Sequence, residues 1–371
     1  MVQPLNIEEY RSVYEPGKVE CASTGEMRPL EEIIGQERAL RALQFGLEIR
    51  EPGFNVYTAG AQGTGRRTAV RSFLDQLAKG KPRARDWVYV HNFQNQYEPN
   101  AIALPAGRGP RFKEEMKRFI EEARRALPRA FESEEYTKRR DETLQSLQGK
   151  RTDLIARINQ DAQAAGFVIQ MSPIGLLTIP VINGKPVPDE EFINLPDDVR
   201  ADVQRRRDAL NTELRSTLRQ VQEIERQGAE AVTNLNRDIA LYAVGNLVTE
   251  LKEHYADVPE VPAYIDAVQN DILENLQAFL GVPEQPGAPP QFQAFVRELP
   301  FRKYEVNVVV DNDGAEGAPV VVEQNPTFQN LIGKIEKEVQ FGIFTTDFTM
   351  IRPGSLHRAN GGYLVLDVED L

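Results

Sequence analysis

Gly60, Gly63, Gly65, Arg66 and Arg67 are the residues whose types and spacing could do chemistry. In Gly60-Ala61-Gln62-Gly63-Thr64-Gly65-Arg66-Arg67-Thr68 the glycines free backbone amides to turn toward an anion. The helix-compatible segment Arg66 to Leu77 behind them would add its positive N-terminal dipole. Against the phosphate-binding pattern G-x-x-x-x-G-K-S/T, begun at Gly60, the lysine position holds Arg66. The hydroxyl position that would ligate magnesium holds Arg67, and Thr68 comes one place late. The loop therefore has the scaffold of a phosphate site without its reactive contents. The plainer alternative is that the glycines only make a tight strand-to-helix turn.

Other chemistry is excluded more readily than it is found. The single cysteine, Cys21, rules out an internal disulfide framework and a cysteine-rich zinc site. His91, His254 and His357 are far apart in sequence and read as structural or surface residues rather than metal ligands. A formal charge of -12 argues against nucleic acid as the main ligand, because phosphate contacts need clustered Lys and Arg. No apolar run approaches the ~18 residues of a membrane span, and the N-terminus lacks a basic-then-apolar signal pattern. The cytoplasm is the expected compartment.

The elements that must position the loop follow from periodicity. Phe54 to Thr58 predicts the strand that feeds it, and Trp87 to His91 a second strand, so strand, helix, strand predicts a parallel α/β sheet. From Arg111 the pattern turns helical, with Phe112, Met116, Phe119, Ile120 and Ala123 on one face and Pro128 expected to break the helix. A second helix runs to about Ala165 with a stripe of Leu144, Leu147, Leu154, Ile155 and Ile158. A third, from about Pro188 to Tyr255, carries Val203, Leu210, Leu214 and Leu218. Such narrow stripes predict an antiparallel coiled-coil arm. Between its helices Phe167 to Gly184 reads as a hairpin at the tip, with turns at Pro173-Ile174-Gly175 and Asn183-Gly184. Met171, Ile174, Leu176, Leu177 and Ile179 crowd that tip, and an arm's end has little core in which to bury them. They are candidate binding residues for unfolded chains, unless the hairpin folds back on the helix expected over 261–280 or docks on a neighbouring subunit. After a linker at 284–290 the α/β character returns: strands Tyr304–Val310 and Pro319–Glu323, a helix from Asn325 to Glu338, and an apolar strand Tyr363–Asp367.

Four stretches in this order resemble the Lon-like proteases, specifically the branch called LonC. They are Ile34-Gly35-Gln36-Glu37-Arg38-Ala39, the Gly60–Thr68 loop, Asn330-Leu331-Ile332-Gly333, and Arg358-Ala359-Asn360-Gly361-Gly362 leading into Tyr363–Asp367. The last looks like the Walker B strand of an AAA+ module. The resemblance implies an AAA+-like P-loop α/β core, incomplete at its C-terminal side, interrupted by a large helical coiled-coil insertion carrying a small hairpin. Its expected parts are 1–107 and 284–371 for the core and 108–283 for the insertion, with the hairpin tip over 166–186. The sheet would lack a central member, left open or supplied by a second chain.

The family comprises hexameric serine endopeptidases of the S16 type, whose AAA-like part gates a proteolytic chamber; the LonC branch works without ATP. Its Ser–Lys protease domain follows the AAA-like part, and no Ser–Lys pair can be argued before Leu371, so no catalytic residue is expected in this chain. Gly60, Gly63, Gly65, Arg66, Arg67 and Asp367 then form a degenerate nucleotide site that requires no cofactor and binds ATP or ADP weakly at most. Val368 follows Asp367 where a catalytic carboxylate belongs, and Glu369 is displaced by one. Phe341, Ile343, Phe344 and Phe348 lie where AAA+ proteins place their substrate-gripping pore loop; the alternative is that some of them pack into the core. The expected partners are unfolded proteins, the protease domain and further copies of the chain, with no nucleic acid and no membrane. Two other functions compete: a working ATP-hydrolysing unfoldase that tolerates Arg66, and a coiled-coil scaffold with a dead P-loop.

Overall fold

The computed structural model describes residues 6, 10, 17, 21–26, 36–49, 51, 53–61, 63–172, 175–182, 185–187, 192, 196–281, 289–340 and 342–370. Ile34, Gly35, Gln62, Phe341, the turn residues Pro173, Ile174, Asn183 and Gly184, and most of the linker lie outside that set. The chain is mostly helical with small sheets.

The main core forms where helix faces meet one sheet. Helix α1 (Glu37–Glu48) and helix α2 (Arg66–Lys79) precede it. Strand β1 (Asp86–Val90) pairs antiparallel with β2 (Asn100–Leu104) and with β6 (Asn307–Val310). Alternate residues Val88, Val90, Ile102 and Leu104 are buried against helix α3 (Arg108–Phe131), which contributes Phe112, Met116, Phe119, Ile120, Ala123 and Leu127. The expected parallel sheet through Trp87–His91 is therefore not what forms. Phe54 to Thr58 is not a strand, its Phe54 and Tyr57 are exposed, and it offers β1 no neighbour. The period-two burial of β1 is met instead by antiparallel partners on both edges.

Pro128 does not break α3, which runs on to Phe131. So close to the C-terminus it removes one helical hydrogen bond and leaves the apolar face in register. Ser133 then caps helix α4 (Glu134–Ala164), its side chain accepting from Tyr136 N. Helix α4 lies antiparallel to helix α5 (Asp197–His254). Tyr136 Oη donates to Asn236 Oδ1 at 2.9 Å, Arg151 meets Glu225 at 3.7 Å, and Arg206 Nη1 donates to Ala165 O at 3.2 Å. Leu147 packs so closely on Gly228 that an added Cβ there would lie 2.9 Å from its Cδ1. The seam is narrow: Leu144, Ile155 and Leu218 remain exposed. At the far end β3 (Phe167–Ser172), β4 (Gly175–Ile182) and β5 (Lys185–Pro186) form an antiparallel sheet over Ile158, Ala162, Phe167, Val203, Leu210 and Leu214.

Helix α5 returns to the main core with Ala240, Val244, Val248 and Leu251. The helix expected over 261–280 is divided at Asn275 into α6 (Glu260–Glu274) and α7 (Leu276–Leu280). Helix α8 (Pro290–Glu298) leads into a 3₁₀ turn, Leu299–Tyr304, whose Phe301 and Tyr304 sit in the same core.

A second, smaller unit follows. Strand β7 (Val320–Glu323) pairs in parallel with β12 (Tyr363–Leu366), and α2 is tied to it by Ala318 N donating to Ala78 O at 3.0 Å. The helix expected from Asn325 to Glu338 stops early. Thr327 caps helix α9 (Phe328–Ile332), and Gly333, at φ 104°, ends it in a conformation that favours glycine. The chain then makes β8 (Gly333–Ile335), β9 (Glu338–Gln340) and β10 (Ile343–Thr345). Strand β11 (Ile351–Pro353) and helix α10 (Ser355–Arg358) complete the unit. Strand β9 pairs with β10 and β8 with β11, both antiparallel.

Candidate functional site

The glycine loop and the end of β12 come together. Gly63 and Gly65 both adopt φ 78°, and Thr64 Oγ1 donates to Ala61 O at 2.7 Å, so the loop closes on itself before α2 begins. A Cβ at Gly60 would lie 3.3 Å from Arg66 Cδ, so a larger residue there would have to push the arginine stem aside. Arg67, in the first turn of α2, reaches Asp367 across 300 positions of sequence: its Nε donates to Asp367 Oδ2 at 2.8 Å, and its Nη2 contacts the same oxygen. That hydrogen bond and the adjacent positive charge hold the Asp367 carboxyl below the usual carboxylate range. The Arg67 guanidinium is held above its ordinary value by the same bond, with Glu369 and Asp370 adding to it.

Strand β12 ends at Leu366, and Val368–Asp370 form a 3₁₀ turn. Glu369 is thus carried off by a turn and does not occupy the opposite face of a continuing strand. Sequence reasoning missed a second group at the same edge. Because β7 and β12 are parallel with Glu323 opposite Leu366, Glu323 lies at the C-terminal edge beside Asp367. Ser355 Oγ donates to Glu323, Arg358 Nη2 donates to Ser355 Oγ at 2.9 Å, and Arg358 approaches Glu323 at 3.5 Å. The Ser355 bond holds the Glu323 carboxyl below its usual range. Asp367 and Glu323, at the edge where an open α/β sheet presents its ligand site, therefore each already face an arginine. The sequence signal for this second pair was Arg358 inside the resemblance motif, with no residue there pointing to Glu323.

The other candidates separate. Phe344 is 74% exposed and stands opposite Val339, 57% exposed, in the β9–β10 hairpin. Phe348 is half-buried, its ring 6.0 Å from His91, so it packs against the main body and is not displayed beside Phe344. Ile343 lies in β10, and Phe341 lies outside the described residues. At the arm tip Met171 pairs with Leu176 across β3 and β4. Leu177 is 52% exposed and Ile179 half-buried. The tip strands pack against α4 and α5.

A buried acid outside these sites organises the body. Asp86, fully buried, accepts from Gly109 N in the first turn of α3 and from Asn312 N, both at 2.8 Å. Its carboxylate thereby caps α3 and fixes the turn after β6. No group of three or more His, Cys, Asp or Glu arranged to hold a metal occurs among the described residues. No helix among them is long and apolar enough to cross a membrane.

Two family models match the chain. Residues 316–371, from the approach to β7 to the end of the chain, match the LonB-like AAA domain. Residues 86–119, comprising β1, β2 and the first half of α3, match the Lon-like LonC helical domain. A comparison with curated proteins gave no match. The two matches, over separate parts of the chain, support a Lon-like protease-related protein.

Proposed function

We propose that the chain is the substrate-recognition and gating module of an ATP-independent Lon-like Ser–Lys endopeptidase that degrades unfolded proteins. The observation that carries this reading is the Arg67–Asp367 pair. In a working P-loop site a hydroxyl and an acidic residue hold magnesium, and the metal neutralises the charge that develops on the phosphates. In this chain the residue replacing the hydroxyl is itself the cation, and it is bonded to the acid. A divalent ion would have to displace a guanidinium that cannot lose its proton. Glu323, paired with Ser355 and Arg358, offers no free carboxylate in its stead.

What the module does then rests on apolar contact rather than on nucleotide. The β9–β10 hairpin presents Phe344 and Val339 to solvent, and the arm tip presents Leu177. Contacts of this kind bind apolar segments without sequence-specific polar pairing, as capture of unfolded chains requires. The helix pair α4–α5 serves as a coiled-coil arm that holds the tip away from the AAA-like part. In a ring of copies, with six expected from the family, the hairpins would face the axial opening to the protease chamber. The working division keeps an AAA-like unit on either side of a helical one. That β1 and β2 share the helical core and that the helical match starts at residue 86 support a first boundary near residue 86 in this reading. Such a module needs no cofactor and belongs in the cytoplasm.

The alternative is an ATP-driven unfoldase. The positive-φ glycines and Arg66 could still hold a nucleotide phosphate. Degradation of an unfolded protein by the natural enzyme, with and without magnesium-ATP, separates the two. The proposal expects equal rates, and strict dependence on ATP would overturn it.

A further inference from the structure

The β9–β10 hairpin is gripped at its base by one side chain of the main body. Arg302 Nη2 donates to Glu338 Oε2 at 2.8 Å, and Arg302 Nη1 lies 3.5 Å from Asp347 Oδ2. Glu338 opens β9 and is paired with Thr345, which closes β10; Asp347 follows two residues later. A single planar guanidinium therefore spans both legs of the hairpin, a geometry that a lysine ammonium does not reproduce.

The arginine itself is firmly seated. It stands in the 3₁₀ turn Leu299–Tyr304 between Phe301 and Tyr304, both buried in the main core. Phe301 meets Phe279 edge-on at 5.0 Å, and Tyr304 Oη donates to Asp271 Oδ2 at 2.6 Å. Arg124 of α3 lies over the Phe301 ring at 4.1 Å and donates to both carboxylate oxygens of Glu298, at 3.0 and 2.8 Å. On the hairpin side Asp347 Oδ1 accepts from Thr349 N at 2.8 Å, so the leg that Arg302 holds is itself a fixed turn. The exposed Phe344 and Val339 lie one residue pair beyond the clamp, at Phe344↔Val339 next to Thr345↔Glu338.

We propose that Arg302 is a positioning residue that fixes the direction in which the β9–β10 hairpin presents Phe344 and Val339. This rests on the reading of the hairpin as the substrate-gripping element. Arg302 touches no substrate in this role; it restricts the hairpin to one orientation, so that less ordering remains to be done on binding.

The test combines amide hydrogen exchange over 338–347 with binding of a fluorescein-labelled, reduced and alkylated unfolded polypeptide. The variants are R302A, R302K, F344A and the double variant R302A/F344A. Losing two charge-assisted contacts should speed exchange in the hairpin and weaken binding, each by about tenfold. R302K should recover only part of either effect. The double variant should bind only slightly more weakly than F344A, since a misdirected hairpin without its aromatic has only Val339 left to lose. Exchange over Phe112–Leu127 should stay as in the unaltered chain; acceleration there as well would mark Arg302 as a general stability residue and overturn the proposal. Unchanged hairpin exchange and binding in R302A, with F344A still weakening binding, would overturn the clamp and leave the gripping role standing. Faster hairpin exchange in R302A with unaltered binding in F344A would overturn the gripping role, and with it the functional part of the clamp.

Discussion

Replacing Phe344 by alanine separates a gripping side chain from a packing one. Phe344 is 74% exposed in the folded chain, so folding itself buries only about a quarter of the ring. Full burial of such a side chain is worth about 1.5–3 kcal/mol, so truncation should cost the folded chain only about 0.4–0.8 kcal/mol. For a domain of this size that is a fall in Tm of about 3 °C or less. The remaining three quarters of the ring becomes buried only when an apolar segment is bound, worth about 1–2 kcal/mol before ordering costs. The affinity for an unfolded polypeptide should therefore drop about 5- to 30-fold. Fluorescence anisotropy with a labelled, reduced and alkylated polypeptide reads the affinity, and calorimetry reads the Tm. In the natural enzyme, cleavage of a short peptide should be unaffected while degradation of an unfolded protein slows. A Tm loss well beyond a few degrees with unaltered affinity would show that Phe344 is core, and the reasoning would fail.

At the arm tip, Leu177→Ser should weaken binding of the same polypeptide about tenfold or less with little change in Tm, since Leu177 is 52% exposed; a large Tm loss with normal binding would assign it to the tip's packing. In the arm, Gly228→Val drives a branched side chain into Leu147, whose Cδ1 would lie 2.9 Å from an added Cβ. The cost should be about 1–3 kcal/mol, read as earlier thermal loss of helix signal and faster proteolysis within α4 and α5. Asp86→Ala orphans the buried amides of Gly109 and Asn312 at about 1–3 kcal/mol each, which urea unfolding should register as a lower midpoint with unchanged slope. The Asp367 carboxyl is held below its usual range by Arg67, and a depressed folded value contributes stability that is lost only as pH falls through it. Carbon-detected NMR should therefore show Asp367 still largely ionised at about pH 3.9, the ordinary aspartate midpoint, and Arg67→Ala should raise its midpoint.

Much of the helical part was legible because its signals are local and periodic. The face Phe112, Met116, Phe119, Ile120, Ala123 is buried as its spacing required, and β3, β4 and β5 pair in the stretch where a hairpin was expected. What failed depended on partners distant in sequence. An apolar run such as Phe54–Thr58 becomes a strand only beside another strand, and no residue within the run reveals whether one is there. The strand expected over Trp87–His91 forms as Asp86–Val90, yet its direction in the sheet is set by β6, more than two hundred positions on. The helix expected over 325–338 failed at Gly333, whose φ of 104° ends α9 and opens β8. In the site, the glycine turn and the misplaced arginines could be read from spacing. The bond from Arg67 to Asp367, the Glu323–Ser355–Arg358 group and the inward packing of Phe348 could not, because each joins elements that only the fold brings together.

The claim that nucleotide chemistry has been replaced by a fixed ion pair is tested most directly by magnesium-ATP turnover in the natural enzyme, measured alongside degradation of an unfolded protein. The account predicts no turnover above background, and degradation that is the same with ATP, without it, and with magnesium chelated. Steady ATP hydrolysis that Asp367→Asn abolishes, accompanied by ATP-dependent degradation, would contradict it.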